Sequence, residues 1–173
     1  MSESELDIAK EAFKIESEEL AKLADKIKPD FIQVIESIKN CGGKLIVSGM
    51  GKSGLIGKKI SATLSSTGTP SFFLHPSEAI HGDLGNIGKD DMMLLLSYSG
   101  ETNEVLQLIP YLQSMNIVIV SITGNPNSTL SRNSDFNLNI HIDREACPLN
   151  LAPMSSTTAL LDMGDAIAAA LMN

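Results

Sequence analysis

The chain has 173 residues, of which 43% are hydrophobic and 20% charged, and its formal net charge is −8. This length and composition predict one globular domain. The sequence contains no apolar run of about 18 residues, which a membrane-spanning helix would need. The negative charge argues against a nucleic-acid partner, because a phosphate backbone favours basic surfaces. The two cysteines, Cys41 and Cys147, form no metal-type pair, so we expect reduced thiols in a cytoplasmic protein.

The first forty residues predict a helical region. Apolar side chains recur there at spacings near three and four from residue 3 to residue 40, and Lys28-Pro29-Asp30 divides the stretch into two helices. We expect residues 1–40 to pack on the domain or on a neighbouring subunit. Residues 41–173 then form the main domain.

Short strands rich in Leu, Ile and Val alternate with helices through the rest of the chain. The predicted strands are 44–48, 71–74, 91–97, 117–122 and 136–142, and the predicted helices are 54–67, 76–83, 103–114, 126–132 and 154–172. This alternation predicts an α/β fold whose parallel sheet is covered by helices on both faces. Ligands of such sheets bind at the carboxyl ends of the strands.

A glycine-rich turn, Gly49-Met50-Gly51-Lys52-Ser53-Gly54, follows the first strand and leads into a helix, which favours an anion site. A dinucleotide would require an acidic residue at the end of the second strand, but that strand ends at Leu74 and the next acid is Glu78. The P-loop pattern fails because Ile46 stands where it needs glycine. The interpretations that remain are a site for a small phosphorylated metabolite and a tight turn without a ligand. Lys52 could stabilise an oxyanion beside a phosphate.

Hydroxyl groups gather at two predicted helix starts. Ser97, Ser99 and Thr102 follow the third strand, where they could hold a phosphate or, alternatively, one of them could cap the helix. The run 155–158, Ser-Ser-Thr-Thr, offers a similar group at the start of the last helix, with capping and packing as the alternative.

Two glutamates and three histidines are candidates for proton transfer or ligand contact. Glu104 and Glu145 could act as acid–base carboxylates or lie on the solvated surface. His75 and His81 could be metal ligands or proton carriers, although their spacing matches no standard zinc signature. His141 lies in an apolar strand and could be buried or line the site.

These residues belong to motifs that resemble the sugar isomerase (SIS) domain and, within it, the arabinose-5-phosphate isomerases of lipopolysaccharide and capsule biosynthesis. The motifs are GMGKSG (49–54), STGTPSFFLHPSEAIHGDLG (66–85), SYSGET (97–102), SITG (121–124), EACPLNLAP (145–153) and SSTTALLDMGDA (155–166). SYSGET indicates only the fold, whereas HPSEAIHGDLG together with EACPLNLAP is more specific and counts against phosphoheptose or hexulose-phosphate isomerases.

The resemblance implies a three-layer αβα sandwich with a five-stranded flavodoxin-like sheet. It implies interconversion of D-ribulose 5-phosphate and D-arabinose 5-phosphate through an enediol, which supplies the precursor of Kdo. It also implies a cytoplasmic homotetramer whose sites draw residues from neighbouring subunits. No cofactor is required, and His75 matches a position that can bind an inhibitory zinc.

The resemblance also implies roles for particular residues. The catalytic positions would be Lys52, Glu104 and Glu145, with His81 as the rival base. The substrate-binding positions would be Ser53, Gly68, Thr69, His75, His81, Ser97, Ser99, Thr102, His141, Asp143 and the span 107–116.

The sequence departs from the family pattern at two residues and in its extent. Met154 stands where threonine is usual, and Asn150 stands where glycine is usual. Family members continue with an SHPGG-type stretch, whose histidine is catalytic, and then with a pair of CBS domains, whereas the printed sequence stops at Asn173 before both. The alternative functions are therefore a sugar-phosphate-sensing SIS domain without turnover and a truncated, inactive isomerase domain.

Overall fold

The computed structural model describes residues 4–173, which form a five-stranded parallel sheet. The strands are β1 (Leu45–Gly49), β2 (Ser71–Phe73), β3 (Met92–Leu96), β4 (Val118–Thr123) and β5 (Phe136–Asn139). Their spatial order is β2-β1-β3-β4-β5, and every neighbouring pair is parallel. This is the flavodoxin-like order, so the predicted fold class is confirmed.

Helices cover both faces of the sheet. They are α1 (Glu5–Asp25), α2 (Asp30–Lys39), α3 (Gly51–Ser66), α4 (Pro76–Ile80), α5 (Asn103–Leu106), α6 (Ile109–Ser114), α7 (Thr129–Arg132) and α8 (Ser155–Leu171), with a 3₁₀ turn at Asp83–Asn86. One core joins a face of the sheet to α1, α2, α3 and α8, and a second joins the other face to α4 through α7. None of the helices described in residues 4–173 is long and apolar enough to cross a membrane.

The two predicted N-terminal helices are present, and α1 packs along α8. The break between them lies at Lys28-Pro29, as predicted. Ser4 starts α1 with a reciprocal cap, in which its hydroxyl accepts the Asp7 N–H and its backbone N–H donates to the Asp7 carboxylate.

Several element boundaries differ from the prediction. The predicted helix 103–114 is two helices, because Pro110 has no N–H to continue the α5 hydrogen bonds and instead sits in the first turn of α6. Strand β5 ends at Asn139, since the N–H groups of His141 and Ile142 bond to side chains. Helix α7 begins at Thr129, where the Ser128 hydroxyl caps it.

Helix α3 begins three residues earlier than predicted, at Gly51. The glycine-rich segment is therefore the first turn of the helix and not a loop before it. Lys52 and Ser53 consequently lie within that first turn, where the backbone N–H groups have no partners inside the helix.

Candidate active site

The topology opens a crevice at the carboxyl ends of β1 and β3. These strands are neighbours, but the helices that follow them, α3 and α5, pack on opposite faces of the sheet. A cavity of about 490 Å³ lies there, which we call the switch-point cavity. Its polar lining includes Lys52, Ser53, Ser99, Thr102, Glu145 and Asn150.

The α3 side of the switch-point cavity offers an uncapped helix start. Met50 occupies the cap position in an extended conformation and its side chain makes no capping hydrogen bond. Gly51 follows with φ +55°, a conformation that glycine adopts without strain. The N–H groups of the first turn and the Lys52 ammonium together provide positive potential for an anion.

The opposite side of the cavity is the loop after β3. Ser97 and Thr102 join their hydroxyls at 2.8 Å, and Ser97 Oγ accepts the Gly100 N–H at 3.1 Å. Thr102 occupies the cap position of α5, but its side chain makes no capping bond, so the alternative of a plain Thr102 cap is wrong. Ser97 is buried behind Thr102 and supports it, whereas Ser99 and Thr102 line the cavity.

This loop is tied to α7 on its outer side. Glu101 Oε1 accepts the Thr129 N–H at 2.7 Å, and the Leu130 N–H donates to the Gly100 carbonyl at 3.0 Å. The bond from Thr129 lowers the pKa of Glu101, because it stabilises the carboxylate form. The hydroxyls that line the cavity are thus held by backbone contacts.

Glu145 enters the cavity from the segment between β5 and α8, which we call the β5–α8 connection (residues 140–154). Its Oε2 accepts the N–H groups of Met154 at 2.7 Å and Ser156 at 3.2 Å. A carboxylate at the N-terminus of α8 is favoured by the helix dipole. The anion site predicted at residues 155–158 is therefore already filled by the protein's own carboxylate.

The two departures from the family pattern leave this arrangement intact. Asn150 has φ +50°, in the left-handed region that favours glycine and tolerates asparagine. Its Oδ1 accepts the Glu145 N–H at 3.0 Å, so it also makes a bond that glycine could not. Met154 contacts Glu145 through its backbone N–H, which threonine would equally provide.

Tyr98, which was not among the residues predicted from the sequence, joins the two sides of the site. It lines the cavity, and its hydroxyl accepts the Ile142 N–H of the β5–α8 connection at 3.2 Å. Burial raises the pKa of Tyr98, so the phenol remains protonated at neutral pH. Its position inside SYSGET was the available signal, but the contact with Ile142 spans 44 residues.

Glu104, His75 and His81 lie outside the lining of the switch-point cavity, on the side of α4 and α5. Glu104 is half-buried on α5, and the histidines flank α4, which packs against α5. His81 is exposed, with Nδ1 2.7 Å from the Ser77 carbonyl, so that nitrogen donates. None of these three predicted residues therefore lines the cavity that contains Lys52 and Glu145.

His75 belongs to no cluster of three or more metal-ligating side chains within residues 4–173. Its Nδ1 is buried and has no hydrogen-bond partner among the described residues. However, no three His, Cys, Asp or Glu side chains within residues 4–173 cluster closely enough to hold a metal ion. A zinc at His75 would therefore need ligands from outside this part of the chain.

His141 and Asp143 make contacts within the protein. His141 Nδ1 lies 3.1 Å from the Gly124 carbonyl, and the Asp143 carboxylate pairs with Lys22 of α1 at 2.7 Å. The Lys22 contact lowers the pKa of Asp143. Neither residue lines the switch-point cavity.

Gly68 and Thr69 precede β2 and so lie at the amino edge of the sheet, opposite the switch-point cavity. The span 107–116 runs from α5 through α6 towards the start of β4 and is not part of the lining. Within residues 4–173, Gly68, Thr69 and the span 107–116 therefore do not line the cavity that contains Lys52.

The chain matches known proteins over nearly its whole length. The SIS domain family matches residues 37–170. The chain is 50% identical over 172 residues to arabinose 5-phosphate isomerase KdsD of Francisella tularensis and 53% identical over 163 residues to that of Yersinia pestis. These matches cover 98% and 94% of this chain but 53% and 50% of those proteins, so the chain spans about half the length of the curated relatives it matches.

A solved structure from Escherichia coli CFT073, in complex with arabinose 5-phosphate, superposes with a TM-score of 0.94 at 40% identity. The match covers 99% of this chain and 92% of that one. The chain therefore belongs to the SIS domain family and, within it, to the arabinose 5-phosphate isomerase family.

Proposed function

We propose that the switch-point cavity binds a pentose 5-phosphate and interconverts D-ribulose 5-phosphate and D-arabinose 5-phosphate. The observation that carries this proposal is that Lys52 and Glu145 face one cavity together with hydroxyl groups from α3 and from the loop after β3, so an anion site and a carboxylate are adjacent. The E. coli chain solved with arabinose 5-phosphate, to which this chain is similar over nearly its whole length, supports the choice of sugar phosphate.

The phosphate binds between the first turn of α3 and the Ser99–Thr102 side of the cavity. Backbone N–H groups and the hydroxyls of Ser53 and Thr102 are donors suited to a dianion. Anchoring the phosphate positions the reacting carbons, because the binding energy of a remote group can be used for orientation.

The reaction is a proton transfer between C1 and C2 of the sugar. A base removes the proton from C1 of the ketose while O2 gains a proton, which gives an enediol. The base then returns its proton to C2 while O1 loses one, and the aldose results with no net redox change. Lys52 stabilises the negative charge that develops on the sugar oxygens.

Glu145 is the base that the geometry favours over Glu104 and His81. It lines the cavity, whereas the other two candidates do not. Its Oε2 is held by two N–H donors, and its Oε1 makes no hydrogen bond to another described residue. One oxygen therefore fixes the carboxylate, and the other is free to take a proton.

The proposed reaction is tested by proton NMR of ribulose 5-phosphate in D₂O with the full chain and added EDTA. We expect arabinose 5-phosphate to appear with deuterium at C2, because the base exchanges its proton with solvent. Shifted ligand signals without product or exchange would instead identify a sugar-phosphate-sensing domain and refute the isomerase.

The roles are tested by two matched pairs of variants. Lys52→Ala is expected to lower kcat on the order of 10²- to 10³-fold, as the loss of one oxyanion donor does. Lys89→Ala removes the same charge from an exposed site at the amino edge of the sheet and should leave kcat unchanged. Glu145→Gln should abolish deuterium incorporation at C2 of the product, and Glu104→Gln should not. The reverse result would identify Glu104 on α5 as the base.

A further inference from the structure

Helix α1 carries a buried carboxylate that the proposed reaction does not use. Glu19 is only 3% exposed, although α1 lies on the outside of the sandwich. Its Oε1 accepts from Lys22 Nζ at 2.8 Å, and its Oε2 accepts the backbone N–H of Asp143 at 2.7 Å. Burying a charged carboxylate is costly unless such partners satisfy it, so this placement calls for a reason.

The backbone partner of Glu19, Asp143, lies in the β5–α8 connection, 124 residues further along the chain. Lys22 completes a bridge by pairing with the Asp143 carboxylate at 2.7 Å. Arg144 adds contacts from its guanidinium to Glu11 at 3.4 Å and Glu18 at 3.6 Å. Helix α1 is thus fastened to the two residues that immediately precede Glu145.

Of these contacts, the one with Glu19 is best suited to fix the backbone. The ion pairs of Lys22 and Arg144 are half-exposed, and exposed pairs are weak and adaptable. The Glu19 bond is charge-assisted, is accepted by a buried carboxylate and is directed at a main-chain N–H. It therefore restricts the peptide at Asp143, two residues before Glu145.

We propose that Glu19 is a positioning residue, which fixes the backbone at Asp143 and so sets where the Glu145 carboxylate lies in the switch-point cavity. From Asp143 the chain reaches Glu145, whose N–H is held by Asn150 and whose Oε2 is held at the start of α8. The effect on turnover rests on the proposed function. The effect on the placement of Glu145 does not.

Placement is tested by amide hydrogen exchange on the full chain. Glu19→Ala is expected to speed exchange at Asp143 and also at Met154 and Ser156, whose N–H groups bond to Glu145. Glu19→Gln retains an oxygen that can accept the Asp143 N–H and should restore most of the protection. Glu36→Ala, an exposed glutamate on α2, is the matched control and should change none of these amides.

A double variant separates positioning from general loss of stability. If Glu19 acts through Glu145, then exchange at Met154 and Ser156 in Glu19→Ala/Glu145→Ala should equal that in Glu145→Ala alone, because coupled residues are not additive. Amides of β3 should stay protected throughout. Faster exchange in β3, or unchanged exchange at Met154 and Ser156 in Glu19→Ala, would overturn the proposal.

Kinetics then test the consequence for the reaction. Glu19→Ala should lower kcat on the order of 10- to 100-fold, as small displacements of reacting groups do, and leave KM within about twofold, because the phosphate is held by other elements. A matching rise in KM with kcat unchanged would overturn the role in turnover. If the wild-type chain shows no turnover, the proposed function fails, and the exchange result still decides whether Glu19 positions Glu145.

Discussion

Gly54 provides a sharp test of how the site is built, because it lies where α3 passes closest to β1. A Cβ added at Gly54 would be 2.5 Å from the Gly49 carbonyl oxygen, about 0.9 Å short of the 3.4 Å at which ordinary contact begins. The obstructing atom belongs to the backbone of a fully buried strand, which cannot turn aside as a side chain could. The start of α3 must therefore move away from β1 in Gly54→Ala.

The cost of this movement follows from the usual effect of overpacking. We expect Gly54→Ala to lower the free energy of unfolding by about 1–3 kcal/mol, which corresponds to about 2–4 °C in Tm for each kcal/mol in a domain of this size. Gly85→Ala is the matched control, since a Cβ there meets nothing within 4 Å. It should change the free energy by less than about 0.5 kcal/mol.

The assay is thermal unfolding followed by circular dichroism, with inorganic phosphate titrated into each variant by ³¹P NMR. Because Lys52 and Ser53 sit in the same turn as Gly54, the displaced helix start should also bind phosphate more weakly. If Gly54→Ala and Gly85→Ala had the same Tm and the same phosphate affinity, the close packing of α3 on β1 would not be what places the anion site.

Three further predictions concern charge, the hydroxyls and assembly. The Asp143 and Glu19 carboxylates raise the pKa of Lys22 from 10.5 to about 12. The stability that Lys22 contributes is therefore complete below pH 10.5 and is lost as the pH rises through 12. The Tm difference between wild type and Lys22→Gln should shrink over that pH range. Thr102→Val should weaken phosphate binding in the same NMR titration with little change in Tm, and an unchanged affinity would exclude its hydroxyl from the site. Sedimentation should give a tetramer that Phe13→Glu weakens, since Phe13 is 80% exposed on α1, and a wild-type monomer at micromolar concentration would contradict this.

The sheet could be predicted because its sequence signals are local. All five residues of both β1 and β3 are buried; β3 is a continuous apolar run between Asp91 and Ser97, and β1 begins with three apolar residues after Lys44. The element boundaries were harder because they depend on single contacts, such as the bond from Ile142 to Tyr98 that accompanies the end of β5. The break at Pro110 was visible in the sequence and was overlooked.

The spacing of the glycine-rich turn shows why a motif predicts packing better than it predicts a ligand. Gly49, Gly51 and Gly54 match the dinucleotide fingerprint, and the structure gives two of them a purely mechanical reason. Gly51 adopts a positive φ, and Gly54 allows α3 to approach β1 closely. Any ligand that needs a helix start against a strand would favour the same spacing, so the motif alone could not choose between a dinucleotide and a sugar phosphate.

The candidate site divides into a part that the sequence could predict and a part that it could not. The residues proposed to bind the anion come from two contiguous motifs that directly follow neighbouring central strands. By contrast, nothing in the local sequence favours Glu145 over Glu104, since both follow strands of the sheet. The proposed role of Glu19 could not be predicted from local sequence either, because it depends on a contact with a segment 124 residues away.

The two parts of the site are also supported differently, and this difference has a consequence for the chemistry. The anion-binding turns are continuous with β1 and β3, whose positions the core fixes. Glu145 belongs to a connection without regular structure, which donates hydrogen bonds to Tyr98 and Glu19 and accepts hydrogen bonds at the start of α8. Changes in that connection can therefore move the carboxylate relative to the sugar carbons while phosphate binding is preserved. A substitution that weakens these bonds should accordingly lower kcat before it raises KM.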